Sequence, residues 1–76
     1  MSSLHEHTRV VLVTDLPGEK LAAGDVGTII HVHDGGRAFE VEFVALDGET
    51  VAVVTLDASQ VREVQHREIT HARRVA

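Results

Sequence analysis

The sequence has no cysteine, no tryptophan and no tyrosine, a single proline and two phenylalanines. Without cysteine there is no disulfide framework, no thiolate zinc site and no thiol nucleophile. A reducing cytoplasm is the expected compartment. With Phe39 and Phe43 as the only aromatic side chains, the stacking platforms that hold single-stranded nucleic acid are missing. Cations are scarce too. Residues 1–64 hold four basic residues, Arg9, Lys20, Arg37 and Arg62, against eleven acids, a net of −7; residues 65–76 hold Arg67, Arg73 and Arg74 against Glu68, a net of +2. An acidic body repels a polyphosphate, so nucleic acid is a disfavoured partner. No apolar run approaches the ~18 residues of a transmembrane helix. The opening MSSLHEHTRV lacks the basic and apolar regions of a signal peptide, so a soluble, unexported protein with no membrane partner is expected. Seventy-six residues make one domain, which buries only roughly 60% of its unfolded surface.

What is present is period-two patterning with turn punctuation. Five short strands are predicted: Arg9 to Thr14, Thr28 to His33, Ala38 to Ala45, Thr50 to Leu56 and Val61 to Val64. Asp15-Leu16-Pro17-Gly18 opens a long irregular loop to Gly24, Gly35-Gly36 and Asp47-Gly48 close two hairpins, and Asp57 to Gln60 suits a 3₁₀ turn. Short hairpin loops fix register. The first hairpin then pairs Val32 with Phe39, Ile30 with Val41 and Thr28 with Phe43. The second pairs Phe43 with Ala52, Val41 with Val54 and Phe39 with Leu56. Both place Phe39, Val41 and Phe43 inward, with Val10, Leu12, Leu16, Leu21, Val26 and Val61 closing the core. The expected fold is all-β: a small five-stranded SH3-like barrel over residues 9–64 with a long first loop, an open β-sandwich being the runner-up, preceded by a flexible leader (1–8) and followed by a basic tail (65–76).

The run from Asp15 to Val64 carries DLP, GDVGT, EVEF, DGET, VTL and QVR in order. In this it resembles the small bacterial family known as domain of unknown function 4926. The resemblance covers about two thirds of the chain. It implies an SH3-like barrel with no assigned enzymatic activity. Members often look like small partners of neighbouring toxin-like proteins, which implies an antitoxin or immunity role. No binding residues carry over from the family, and the tail lies outside the pattern.

The stretch GTIIHVHDGGRAFEVEF poses the site question. The register sets His31 across from Glu40 and His33 beside the turn, a pair that could ligate a divalent metal if His5 or His7 joined it. A zinc site needs three or four converging ligands with supporting hydrogen bonds, so exposed polar cross-strand pairs are the expectation, with no metal and no cofactor. Glu40 and Glu42 share a face at a spacing that suits paired carboxylates. Acid/base work also needs a cleft and a desolvated member. A small barrel's outer face offers neither, Ser59 and Thr50 belong to no triad signature, and no catalytic residue is expected. In GDVGT, Asp25 stands between the glycines where RNA-binding barrels carry cations; a turn that starts the strand is the expectation.

The same register leaves an aliphatic cluster on the outer face: Val44 opposite Val51, Val53 across from Glu42, and Ile29 on the adjoining strand. Exposed apolar surface rimmed by charge marks a protein partner. The tail could cover it, since Ile69, Ala72 and Val75 recur at helical spacing and allow one short helix. The reading is a non-enzymatic acidic protein-binding module, of antitoxin or immunity type, acting through Ile29, Glu40, Glu42, Val44, Val51 and Val53. Self-association into a homodimer is open, and a metal-binding or RNA-binding module is the alternative.

Overall fold

The computed structural model of the protein describes residues 4–75. Five antiparallel strands form one sheet: β1 (Arg9–Leu12), β2 (Val26–His33), β3 (Ala38–Val44), β4 (Thr50–Asp57) and β5 (Val61–Glu63). Their order is β4-β3-β2-β1-β5. The two hairpins thus lay β2, β3 and β4 side by side, and β5 returns to pair with β1. The chain is all-β, as the period-two pattern predicts. Among the described residues no ladder joins β4 to β5, so the sheet is open at both edges. No helix of these residues is long and apolar enough to cross a membrane.

Without a helical layer, a sheet can dry its inner face only by curling over itself. Val10, Leu12, Ile29, Phe39 and Val41 are fully buried, and Leu21, Phe43, Leu56 and Val61 complete one cluster fed by all five strands. Leu16 packs against this cluster from the first loop. Gly27 lies inside β2 and marks where β2 and β3 press together. A Cβ there would stand 2.7 Å from Val41 Cγ1 and 3.0 Å from both the Glu42 carbonyl and Phe43 Cδ1. Only hydrogen fits, so the second glycine of GDVGT serves packing within the strand. The turn before it belongs to Gly24, whose φ is 99°.

The second hairpin pairs as predicted, Phe43 with Ala52, Val41 with Val54 and Phe39 with Leu56. The first follows the prediction at its turn end, where His31 meets Glu40, Val32 meets Phe39 and His33 meets Ala38; a bulge at Ile30 then shifts the ladder, so Val41 meets Ile29 and Glu42 meets Thr28. Ile29, expected on the outer face, is therefore in the core, and Ile30 is the outward residue (41% exposed). The cause lies on the other side of β2. The segment before β1 bonds to Ile29 in both directions, His7 N–H donating to the Ile29 carbonyl and Ile29 N–H to the Thr8 carbonyl. Register set there disagrees by one residue with register set by the Asp34 to Arg37 turn, and the bulge absorbs the difference.

A second bulge corrects Val51. Val44 pairs with Thr50 instead, because Ala45 N–H to the Glu49 carbonyl and Gly48 N–H to the Ala45 carbonyl close a tighter turn. Val51 becomes the extra residue and packs, half-buried, against the core cluster. Three local expectations also change. The 3₁₀ turn forms at Pro17–Glu19, where proline presets φ, while Asp57 to Gln60 is a simple turn. Residues 4–8 are tied to the sheet, with Leu4 against the core and Thr8 buried; of the expected leader, residues 1–3 lie outside the described residues. Finally, the tail is not helical. It runs irregularly after a turn at His66 and Arg67.

Candidate functional site

The outer face of β2, β3 and β4 carries a column of two carboxylates on its central strand. Period two puts Glu40 and Glu42 on this side, and their cross-strand neighbours on β4 are Thr55 and Val53. Thr55 Oγ1 donates to Glu40 Oε1 at 3.2 Å, and Thr50 Oγ1 donates to Glu42 Oε2 at 2.9 Å. Both carboxylates are thus oriented by neutral hydroxyls, which fix them without cancelling their charge. Around the column stand Ile30, Val44 and Val53, 41%, 44% and 49% exposed. The aliphatic residues surround the glutamates and do not form one continuous apolar patch, because Glu42 separates Val53 from β2.

The histidines split between two neighbours. Their rings meet edge to face with centroids 4.5 Å apart. His31 Nδ1 lies 3.8 Å from Glu6 Oε2 and His33 Nε2 lies 3.6 Å from Glu40 Oε1. Among the described residues no group of three or more His, Asp or Glu side chains converges where a metal ion could be held.

The opposite end of the sheet differs in kind. Arg73 of the tail grips Asp25 through Nε at 2.8 Å and Nη2 at 2.5 Å, and Nη2 also donates to the Lys20 carbonyl. Arg62 of β5 grips Glu68 through both terminal nitrogens, at 2.9 and 2.6 Å. These bidentate pairs are the strong form of charge-assisted hydrogen bond. The Arg73 guanidinium holds the Asp25 carboxyl below its usual range. The Arg62 guanidinium, helped by the Gln65 N–H, lowers Glu68 to about 2. So latched, the tail forms one wall of a shallow groove over Val11 and Val26. Val11 points away from the core cluster between Val10 and Leu12 yet is only 8% exposed. The tail therefore covers the β1 end of the outer face and leaves Val53 open.

Of the residues singled out by sequence, the structure brings Glu40, Glu42, Val44 and Val53 together on one face and removes Ile29 and Val51 from it. Sequence reasoning missed Ile30, Thr50 and Thr55. It also missed a plain signal: from Ala38 to Gln60 the chain has five carboxylates, Glu40, Glu42, Asp47, Glu49 and Asp57, and no Lys, Arg or His. Splitting charge by strand pair would have found it. In the same stretch the Asp57 carboxyl is shifted below its usual range by hydrogen bonds from the Ser59 hydroxyl and backbone N–H.

The family described as Domain of unknown function (DUF4926) matches residues 6–63. The match takes in β1 and the segment tied to Ile29, and it ends at β5, before the tail. No curated protein and no solved structure matches the chain.

Proposed function

The chain belongs to the domain of unknown function 4926 family, whose description assigns no activity, and from that premise we propose that it is a non-enzymatic, cytoplasmic protein-binding module whose β3–β4 half docks on a basic surface of another protein. The leading specific version is an antitoxin or immunity protein. Its acidic face would occupy the cationic substrate cleft of a toxin-like neighbour and exclude that partner's substrate.

The observation that carries this reading is the unbroken acidity from Ala38 to Gln60, displayed on a face where Ile30, Val44 and Val53 stay exposed. Carboxylates at the rim set the approach rate and its salt dependence. Desolvated aliphatic contacts set how long the complex lasts. The Thr50 and Thr55 hydroxyls hold Glu42 and Glu40 in place beforehand, which lowers the ordering cost on binding.

The test is recovery of the native complex followed by charge reversal. A stoichiometric partner with a basic contact surface is expected, with an association rate that falls steeply as salt rises and drops at least about tenfold in the Glu40→Lys, Glu42→Lys double variant. A partner retained equally at high salt and by the double variant would overturn the proposal.

A further inference from the structure

The two edges of the sheet are guarded unequally. Natural proteins protect an exposed edge by shortness, charge, proline or a covering segment. β5 has such protection: it is three residues long, carries Arg62 and Glu63, and its exit is held by the Arg62–Glu68 pair. β4 has little. It runs eight residues, TVAVVTLD, with no proline, no lysine and no charge before Asp57. The Val51 bulge disturbs only its first turn of pairing, leaving Ala52 to Asp57 regular.

The direction of the free backbone groups on β4 follows from its last residue. Asp57 N–H donates to Gln60 Oε1 and the Asp57 carbonyl accepts from Gln60 N–H. Both groups of Asp57 therefore point away from β3. In an antiparallel ladder this orientation alternates, so Val53 and Thr55 also turn N–H and C=O to the open edge. Their side chains point to the outer face, beside Glu42 and Glu40.

We propose that β4 accepts an extended segment of a basic partner protein as a sixth strand, hydrogen-bonded to Val53 and Thr55, with Lys or Arg at alternate positions reaching Glu40 and Glu42. This deepens the docking reading above and rests on it. An added strand lies about 10 Å from β3, two strand spacings, a span that an arginine and a glutamate side chain bridge together across the small Thr55. The alternate positions of the added strand face inward, over half-buried Ala52 and Val54, and so call for aliphatic residues. The occupant is a basic alternating strand because charge excludes the other candidate. A second copy pairing β4 to β4 would bring Glu40, Glu42, Asp47, Glu49 and Asp57 of both chains together with no cation in either hairpin. Main-chain pairing supplies affinity and alternate side chains supply specificity in this mode of recognition.

The test uses an eight-residue alternating Arg-Val peptide as probe, with the intact protein labelled for amide detection. Expected results are slowed amide exchange at Val53 and Thr55, and binding at least about tenfold weaker when the peptide is N-methylated at the residues whose N–H groups face β4. N-methylation of the intervening residues, which face solvent, leaves binding unchanged. A peptide whose binding ignores N-methylation but is lost in the Glu40→Lys, Glu42→Lys variant would overturn strand addition while leaving the acidic docking face standing. Binding indifferent to both changes would overturn the two together. A protein that is already a dimer, with Val53 and Thr55 amides protected before peptide is added, would show that a second copy holds the edge and would also overturn the inference.

Discussion

The β1–β5 end and the β3–β4 end of this sheet both carry carboxylates, but in opposite circumstances. At the first, Asp25 and Glu68 are each clasped by a guanidinium, from Arg73 and Arg62, and their charge is spent on holding the tail in place. At the second, Glu40 and Glu42 accept from threonine hydroxyls, His33 Nε2 stands 3.6 Å from Glu40, and from Ala38 to Gln60 there is no Lys or Arg to pair with. A count of acids alone would rank the ends as similar. What separates them is compensation: the carboxylates paired with guanidinium groups hold the tail in place, while those oriented by hydroxyls have no Lys or Arg bound to them among the described residues.

That contrast presupposes one core beneath both ends, so the largest expected effect comes from breaking it. Phe43 is 2% exposed and sits in a cluster fed by every strand. Phe43→Ala is expected to cost about 3–5 kcal/mol, which approaches the whole stability of so small a domain. Urea melts of variant and parent check this; coincident melts would mean that the two ends do not share a core. Next in size is Gly27→Ala. A Cβ held 2.7 Å from Val41 Cγ1 with backbone close behind should cost about 1–3 kcal/mol by overpacking, read by the same melts.

Two valines two residues apart sharpen the contrast. Val51→Lys disturbs a residue packed against the core and is expected to lower stability by about 1–2 kcal/mol. Val53→Lys replaces an outward side chain that is 49% exposed and is expected to stay within about 0.5 kcal/mol of the parent while weakening partner binding. Thermal melts paired with sizing and pull-down distinguish them. Equal loss of stability in both would place Val53 inside and remove the proposed face.

Those two valines also show how far the sequence could be read. The strand count and the second hairpin's register beyond its turn were legible, because Phe39, Val41 and Phe43 keep a single phase. The family was legible in GDVGT, EVEF and DGET. The two bulges were not. In GTIIHVH, one phase runs from Gly27 to Ile29 and another from Val32 to Ile30, and two adjacent isoleucines satisfy either. Only the pairing of His7 and Thr8 with Ile29, with Thr8 standing 26 positions before Asp34 of the turn, decides between them. At β4 the run TVAVVTL is apolar enough to hide a one-residue slip at Val51. Three aliphatic residues at helical spacing allowed a short helix in the tail, which does not form; two ion pairs hold the tail against the sheet instead. Partners that distant in sequence leave no local pattern.

The smallest effect concerns that tail. Glu68 has a folded value of about 2 against an ordinary 4.5, so its bond to Arg62 stabilises the latched tail fully above the ordinary value and is lost as pH falls from there through about 2. Asp25 is shifted in the same direction by Arg73. Acidification below about 4.5 should therefore loosen residues 65–75 before the sheet unfolds, seen as sharpening of tail amide signals. A tail unchanged to about pH 2 would mean that the ion pairs do not hold it.

The difference in compensation between the two ends is tested most directly by titrating the isotopically labelled protein with hexa-arginine at low salt and following every backbone amide. The account predicts perturbations centred on Glu40, Glu42, Val53 and Thr55, abolished by salt and by the Glu40→Lys, Glu42→Lys pair, with Asp25 and Glu68 undisturbed because Arg73 and Arg62 already occupy them. Perturbations centred instead on Asp25 and the tail, or spread evenly over both ends, would contradict it.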